Sequence, residues 1–222
     1  MRINADFSQR VVICPEDYRW VDSPMAGVER MMLDRIGDEV ARATSLVRYA
    51  PNSRFAEHVH GGGEEFFVLE GVFGDEHRDY PAGTYVRNPI GTRHSPRVGA
   101  EGCVIFVKLH QFDAADDRQA VIDTRKAAWQ SGGAAGAEVL PLHRFSSERV
   151  SLARLAHETP WPGNDVRGGA EFFVIDGGLR DDRGAYPAGS WLRLPDGGRA
   201  ELSAGGDGAL LFVKTGHLPT LS

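Results

Sequence analysis

Apolar residues in this chain gather in short runs closed by glycine or proline. "TSLVRYA", "EEFFVLEG", "GTYVRNP" and "CVIFVKL" are rich in Val, Leu, Phe, Tyr and Thr, side chains that suit a pleated, half-buried surface. With 27 glycines and 12 prolines along the chain, long helices have little room. Many short strands with regular punctuation predict a β-sandwich or barrel. The longest stretch free of Gly and Pro, 103 to 131, includes "FDAADDRQAVIDTRKAAWQ". It has room for a helical turn, and its position suits a connection between domains.

The pattern occurs twice. A shift of 106 places "EEFFVLEG" (64–71) on "AEFFVIDG" (170–177), "YPAGTYVRNPIG" on "YPAGSWLRLPDG", and "GCVIFVK" on "GALLFVK". This register runs without a gap from Ser45/Ser151 to Lys108/Lys214. Upstream the shift becomes 109, matching Trp20 with Trp129, Gly27 with Gly136, Glu29 with Glu138 and Arg35 with Arg144. A duplication on this scale predicts two similar β domains, 1–112 and 113–222, joined near 113–120.

At 222 residues the chain is comfortable for two domains of about 110. Its 41% apolar and 25% charged content is that of an ordinary globular protein. The net charge is −6 and Lys and Arg form no cluster, which argues against direct nucleic-acid binding. No apolar run is long enough to span a membrane. The start, "MRINADFSQRVVICPED", lacks the apolar core of a signal peptide, so a cytoplasmic protein is expected. Cys14 and Cys103 are the two cysteines, without a C-x-x-C, which excludes a thiolate zinc knuckle. Cys103 reads as a buried structural thiol.

The repeat also acts as an internal control. Glu65/Glu171, Phe66/Phe172, Arg87/Arg193 and Lys108/Lys214 are shared and read as strand, packing or interface residues. The pairs Gly71/Gly177 and Gly83/Gly189 suit turns that need positive φ. Four unshared positions differ in kind: His58 aligns with Asn164, His60 with Val166, Glu64 with Ala170, and His94 with Ala200. Three imidazoles and a carboxylate stand together in one half and are missing together from the other, so they read as a unit.

The chemistry of such a unit is a metal site. Residues two apart on a strand share a face, so His58 and His60 can converge on one point. Gly61–Gly62–Gly63 lets the chain bend, and Glu64 brings a carboxylate back at the head of the next strand. His94 follows the turn "NPIGTR". Neutral imidazoles with a carboxylate suit Zn, Fe, Ni, Mn or Cu. The site can close as a tetrahedron or keep positions open for water or a substrate. Arg54, Glu57 and His77 are polar residues of the same half and candidates to line a pocket. His110, His143, His157 and His217 lack motif context and read as surface residues.

These residues resemble the two motifs of the cupin superfamily. His58, His60, Glu64 and Gly71 fit the first, with Asn52 where its opening glycine would stand. Gly83, Pro89, Gly91 and His94 fit the second, with Val98 in place of its final asparagine. The resemblance implies an all-β fold of two tandem jelly-roll barrels, a bicupin, with the metal inside the first. In the second half Gly189, Pro195 and Gly197 keep the turn skeleton without the ligands, so that barrel is expected to be metal-free.

Residues 45–110 are also similar to the cupin module of ChrR-type anti-sigma factors. There the corresponding three His and one Glu bind zinc, in a module that takes part in the response to singlet oxygen. The similarity implies one divalent transition metal per chain on His58, His60, Glu64 and His94, with Zn first and Fe, Ni or Mn next. Those proteins hold their sigma factor through a separate helical domain with its own His/Cys motif. Both halves here read as cupin, so a sigma factor is not an expected partner. Two functions follow from the resemblance: a regulatory module sensing an oxidant or small ligand, or a non-haem metal-dependent dioxygenase acting on a small molecule. A homodimer is compatible with either.

Overall fold

The punctuated apolar runs are strands. In the computed structural model, which describes residues 1–163 and 166–219, the strand pairings are antiparallel. The helical element among the described residues is one 3₁₀ turn, Pro15–Asp17. The stretch expected to hold a helical turn instead contributes the strand Ala120–Asp123, paired with Thr84–Asn88. Its hydrogen bonds come from a distant partner strand, which overrides the local helix-compatible composition. No helix is long and apolar enough to cross a membrane among the described residues.

The chain divides into two compact units. The first takes Met1–Ala5 and Arg19–Ala127, the second Asp6–Tyr18 and the chain from Ala128 onward. In the first, the central strands run in the order Val28–Gly37, Ala41–Tyr49, Arg97–Leu109, Glu64–Gly74, Thr84–Asn88, Ala120–Asp123. In the second the order is Ala137–Phe145, Glu148–Leu155, Ser203–Thr215, Ala170–Asp181, Trp191–Leu194, Val11–Ile13. The two sheets repeat each other strand for strand, as a duplicated cupin requires.

The last strand of each list comes from the other repeat. Val121 pairs with Val86 in the first unit, and Val12 with Leu192 in the second. Val12 and Val121 are 109 apart, Val86 and Leu192 are 106 apart, so the two pairings are equivalent. Each repeat's opening strand therefore completes the other repeat's sheet. The compact units differ from the expected halves 1–112 and 113–222 by these exchanged segments.

Period-two alternation explains how the long strand Glu64–Gly74 positions chemistry. Phe66 and Val68 share one face and lie in the apolar core of the first unit, with Val28, Val47, Phe73, Val86, Ile105 and Val107. Burying each such side chain contributes about 1.5–3 kcal/mol. Glu64 lies on that same face at the strand's head, so the carboxylate is delivered into the barrel interior. Glu65 and Phe67 occupy the opposite face, which is also buried. There Glu65 accepts hydrogen bonds from the Tyr85 hydroxyl (2.5 Å) and from Arg87 (3.3 Å), and Arg87 also pairs with Asp116. In the second unit Trp191 Nε1 donates to Glu171 at 3.2 Å. The shared Glu and Arg are buried strand residues, as the repeat implied.

Turn geometry follows the motifs. Gly71 and Gly177 have φ of 69° and 70°. A Cβ on Gly71 would stand 2.1 Å from the Gly102 carbonyl oxygen, so the close approach of two strands needs the bare backbone there. Asn52, which replaces the first motif's glycine, has φ 58°. Asparagine tolerates the left-handed region better than most residues, so the departure from the motif preserves its conformation.

Candidate metal centre

The short strands His58–Val59 and Arg93–His94 form a two-stranded ladder in which His94 lies opposite His58. The His60 amide continues it by donating to Thr92 O at 2.9 Å. His60 is two residues from His58 and so returns to its face. Gly61–Gly62–Gly63 then reverses the chain, with Gly63 at φ 77°. A Cβ on Gly62 would stand 2.2 Å from the His110 ring, so the bare backbone also lets that ring approach.

The four expected residues converge. His58, His60, Glu64 and His94 each offer one ligand atom, all within 4.8 Å of one another. The three imidazole centroids lie 4.7 to 5.2 Å apart. Glu64 Oε1 stands 3.5 Å from His60 Nε2 and 3.7 Å from His94 Nε2. His60, Glu64 and His94 are buried, whereas His58 is exposed at the mouth.

Electrostatics leaves the two buried imidazoles, His60 and His94, neutral. Burial, with repulsion from the other rings, pushes His60 down to about 3; burial and His58 push His94 down to about 4. Burial pushes the Glu64 carboxyl up to about 7, against a hydrogen bond from Asn88 that favours its charged form. His60 Nε2 and His94 Nε2 are buried without a hydrogen-bond partner. Unpartnered lone pairs of this kind are costly unless something electrophilic accepts them, and the N/O donor set fits a divalent transition ion.

Surrounding groups fix the donors' orientation. The Thr92 hydroxyl donates to Pro89 O at 2.6 Å, so its oxygen is left to accept from His60 Nδ1, 2.9 Å away. That places the His60 proton on Nδ1 and turns the bare Nε2 toward the cluster. Asn88 Nδ2 donates to Glu64 Oε1 at 3.3 Å. Asp75 Oδ2 lies 3.7 Å from His94 Nδ1 and accepts from Tyr80 at 2.7 Å. Burial opposes ionisation of Asp75, but the Tyr80 hydroxyl and the His77 and Arg78 amides outweigh it and hold its carboxyl below the usual range.

The second repeat sorts these partners. Asp75 and Tyr80 recur as Asp181 and Tyr186, which also bond, at 2.5 Å, so that pair belongs to the scaffold. Asn88 aligns with Leu194 and Thr92 with Gly198, so both are lost with the ligands. The repeat register carried this signal for Asn88 and Thr92, which motif reasoning missed. Val166, Ala170 and Ala200 are buried in the apolar core of the second unit, with Trp161 packed against it. Asn164, the counterpart of His58, lies outside the described residues.

A cavity of about 310 Å³ opens onto the cluster. His58, His60 and Glu64 line it together with Tyr49, Phe55, Leu109 and His110. His110 is thus a cavity residue, contrary to its reading as a surface histidine; its placement depends on Gly62. His143 is buried, and the His217 side chain is buried against Glu171 at 3.0 Å, so neither is on the surface; tertiary packing decides both. His157 is exposed as expected. Arg54, Glu57 and His77 are exposed and do not line the cavity; Glu57 lies 3.7 Å from Arg93.

Both cysteines are buried. Burial, with Glu70 nearby, pushes the Cys103 thiol up to about 12, far from the thiolate that reacts. Iodoacetamide is expected to leave both cysteines unmodified in the folded protein and to alkylate both after unfolding, as read by intact mass. Rapid labelling of folded protein at Cys103 would contradict this placement.

Comparison with known proteins agrees with the fold. Among solved structures, a candidate dioxygenase from Nostoc punctiforme matches with TM-score 0.77 and 17% identity, over 97% of this chain and 85% of its own. A nickel(II) complex of a bacterial pirin from Escherichia coli matches at 0.70 and 14%, over 96% and 100%. An oxalate decarboxylase formate complex from Lactobacillus farciminis matches at 0.64 and 10%, over 95% and 87%. At such identities the likeness establishes the bicupin fold and no shared activity. No protein with a curated description matches in sequence. The ChrR cupin-like domain family matches twice, over residues 8–113 and 117–219, and with nearly the whole chain covered, the protein belongs to that family as a tandem pair of its domains.

Proposed function

We propose that the protein is a metal-centred bicupin that binds a small molecule beside the metal, in a regulatory, ligand-sensing role. The observation that carries this is the cavity opening onto His58, His60 and Glu64. Those three with His94 would hold one divalent transition ion, Zn first by family resemblance, with Fe, Ni or Mn as alternatives. When bound, such an ion supplies Lewis-acid attraction for an oxygen donor on the ligand. Thr92 holds the His60 proton on the outer nitrogen, and Asn88 holds the Glu64 carboxylate. Val47, Phe55, Val107 and Leu109 give the cavity an apolar wall suited to the body of such a ligand. Sensing through a cysteine is disfavoured by the burial of both thiols.

The same cavity favours a second reading, a metal-dependent dioxygenase, because a catalytic site needs space for a substrate beside the ion. Oxygen uptake by iron-loaded protein with β-diketones and hydroxyaryl ketones separates the two. The sensing role predicts none above the background of His94→Ala. Steady uptake abolished by His94→Ala would replace sensing with catalysis.

A further inference from the structure

One wall of the cavity carries a cation that metal binding does not use. Arg30, on Val28–Gly37, pairs in register with Val47 and so shares its face, with core residue Val28 two positions away. Its side chain therefore turns inward and lines the cavity, at 16% exposure. Arg30 Nη2 donates to Ser23 Oγ at 2.8 Å and lies 3.3 Å from Glu39 Oε2. Glu39 is 70% exposed, so that pair is screened and weak. Arg30 Nε is buried without a hydrogen-bond partner among the described residues. A buried guanidinium donor without an acceptor is destabilising, which calls for an explanation.

The repeat again discriminates. At the upstream shift of 109, Arg30 aligns with Val139 and Met25 with Ala134; at 106, Tyr49 aligns with Leu155. The inward cation and its larger apolar neighbours belong to the half that carries the histidine cluster. A scaffold role would be expected in both halves.

We propose that the cavity takes a small monocarboxylate with an apolar body, its carboxylate on Arg30 and its body against Met25, Tyr49, Phe55 and Leu109. Arginine presents a planar fork of donors that matches a carboxylate, and Arg30 lines the cavity where the ligand's carboxylate would stand. A neutral amide of the same shape leaves the guanidinium charge offset only by the exposed Glu39, so the site selects for the anion. At about 30 Å³ per water, the cavity has the volume of roughly ten waters, which suits a single-ring or short-chain acid. The proposal rests on the small-ligand reading above, with the far end of the molecule facing the histidine cluster.

Calorimetric titration of the full chain with benzoate and phenylacetate, and with their neutral amides, tests it. The acids are expected to bind at least about tenfold more tightly than the amides. Arg30→Gln should abolish that preference and Arg30→Lys should retain part of it, with metal content unchanged in both. Equal binding of acids and amides, preference surviving in Arg30→Gln, or no binding of either acid at millimolar concentration would each overturn the proposal. Acid binding lost in His94→Ala but kept in Arg30→Gln would assign the carboxylate to the metal, also overturning it. A protein that selects acids through Arg30 yet takes up no metal after supplementation would instead overturn the metal reading alone.

Discussion

Replacing His60 or His94 by alanine is expected to reduce bound metal to background while both β units stay folded. Each substitution removes a buried imidazole whose Nε2 has no partner but the proposed ion. The second repeat shows that the same scaffold accommodates valine and alanine at these positions, buried in an apolar core. Folding should therefore survive without the ion, unlike small domains that are unfolded when metal-free. Elemental analysis after dialysis reads the metal, and far-ultraviolet circular dichroism reads the fold. Thr92→Gly and Asn88→Leu, which copy the second repeat, should weaken metal affinity by about 10–100-fold without abolishing it. Unchanged metal content in both histidine variants would refute the ligand assignment, and collapse of both units would make the ion a folding staple.

The reverse substitution should be far more damaging to stability. Ala170 occupies the position of Glu64 in the second unit and is fully buried among Phe172, Val174, Leu211 and Val213. Ala170→Glu brings four extra heavy atoms, a methylene and a carboxyl, into that core with neither an Asn88 nor an imidazole cluster to receive them. Overpacking and burial of an unpaired polar group together predict a loss of about 3–5 kcal/mol, seen as a lower denaturant midpoint. Glu64→Ala in the metal-free protein should change stability by less than about 1 kcal/mol, because it removes a carboxyl that burial already disfavours. A well-folded Ala170→Glu protein with an unshifted midpoint would mean that the second barrel keeps a polar interior.

Much of this was legible in the sequence because the duplication separates scaffold from chemistry. Glu65 and Arg87, present in both halves, are buried strand residues; His58, His60, Glu64 and His94, present in one, converge. Asn88 and Thr92 were readable by the same comparison, since Leu194 and Gly198 cannot make their hydrogen bonds. The exchange of Val11–Ile13 and Ala120–Asp123 between the units was not readable. Strand pairing between distant segments leaves no mark in local alternation, and the surroundings of 120–123 are Ala-rich and charged enough to suit a helical turn. His110 and Arg30 had no motif to announce them. Their placement follows from a glycine that admits a ring and from a strand register that turns a guanidinium inward.

The central claim is that one half of a duplicated scaffold holds a metal and the other has closed over the equivalent space. Metal-to-protein stoichiometry, measured by elemental analysis on the full chain after saturation with Zn and removal of loosely held ions, tests it most directly. The account predicts one tightly held ion per chain. Two ions per chain, or none, would contradict it.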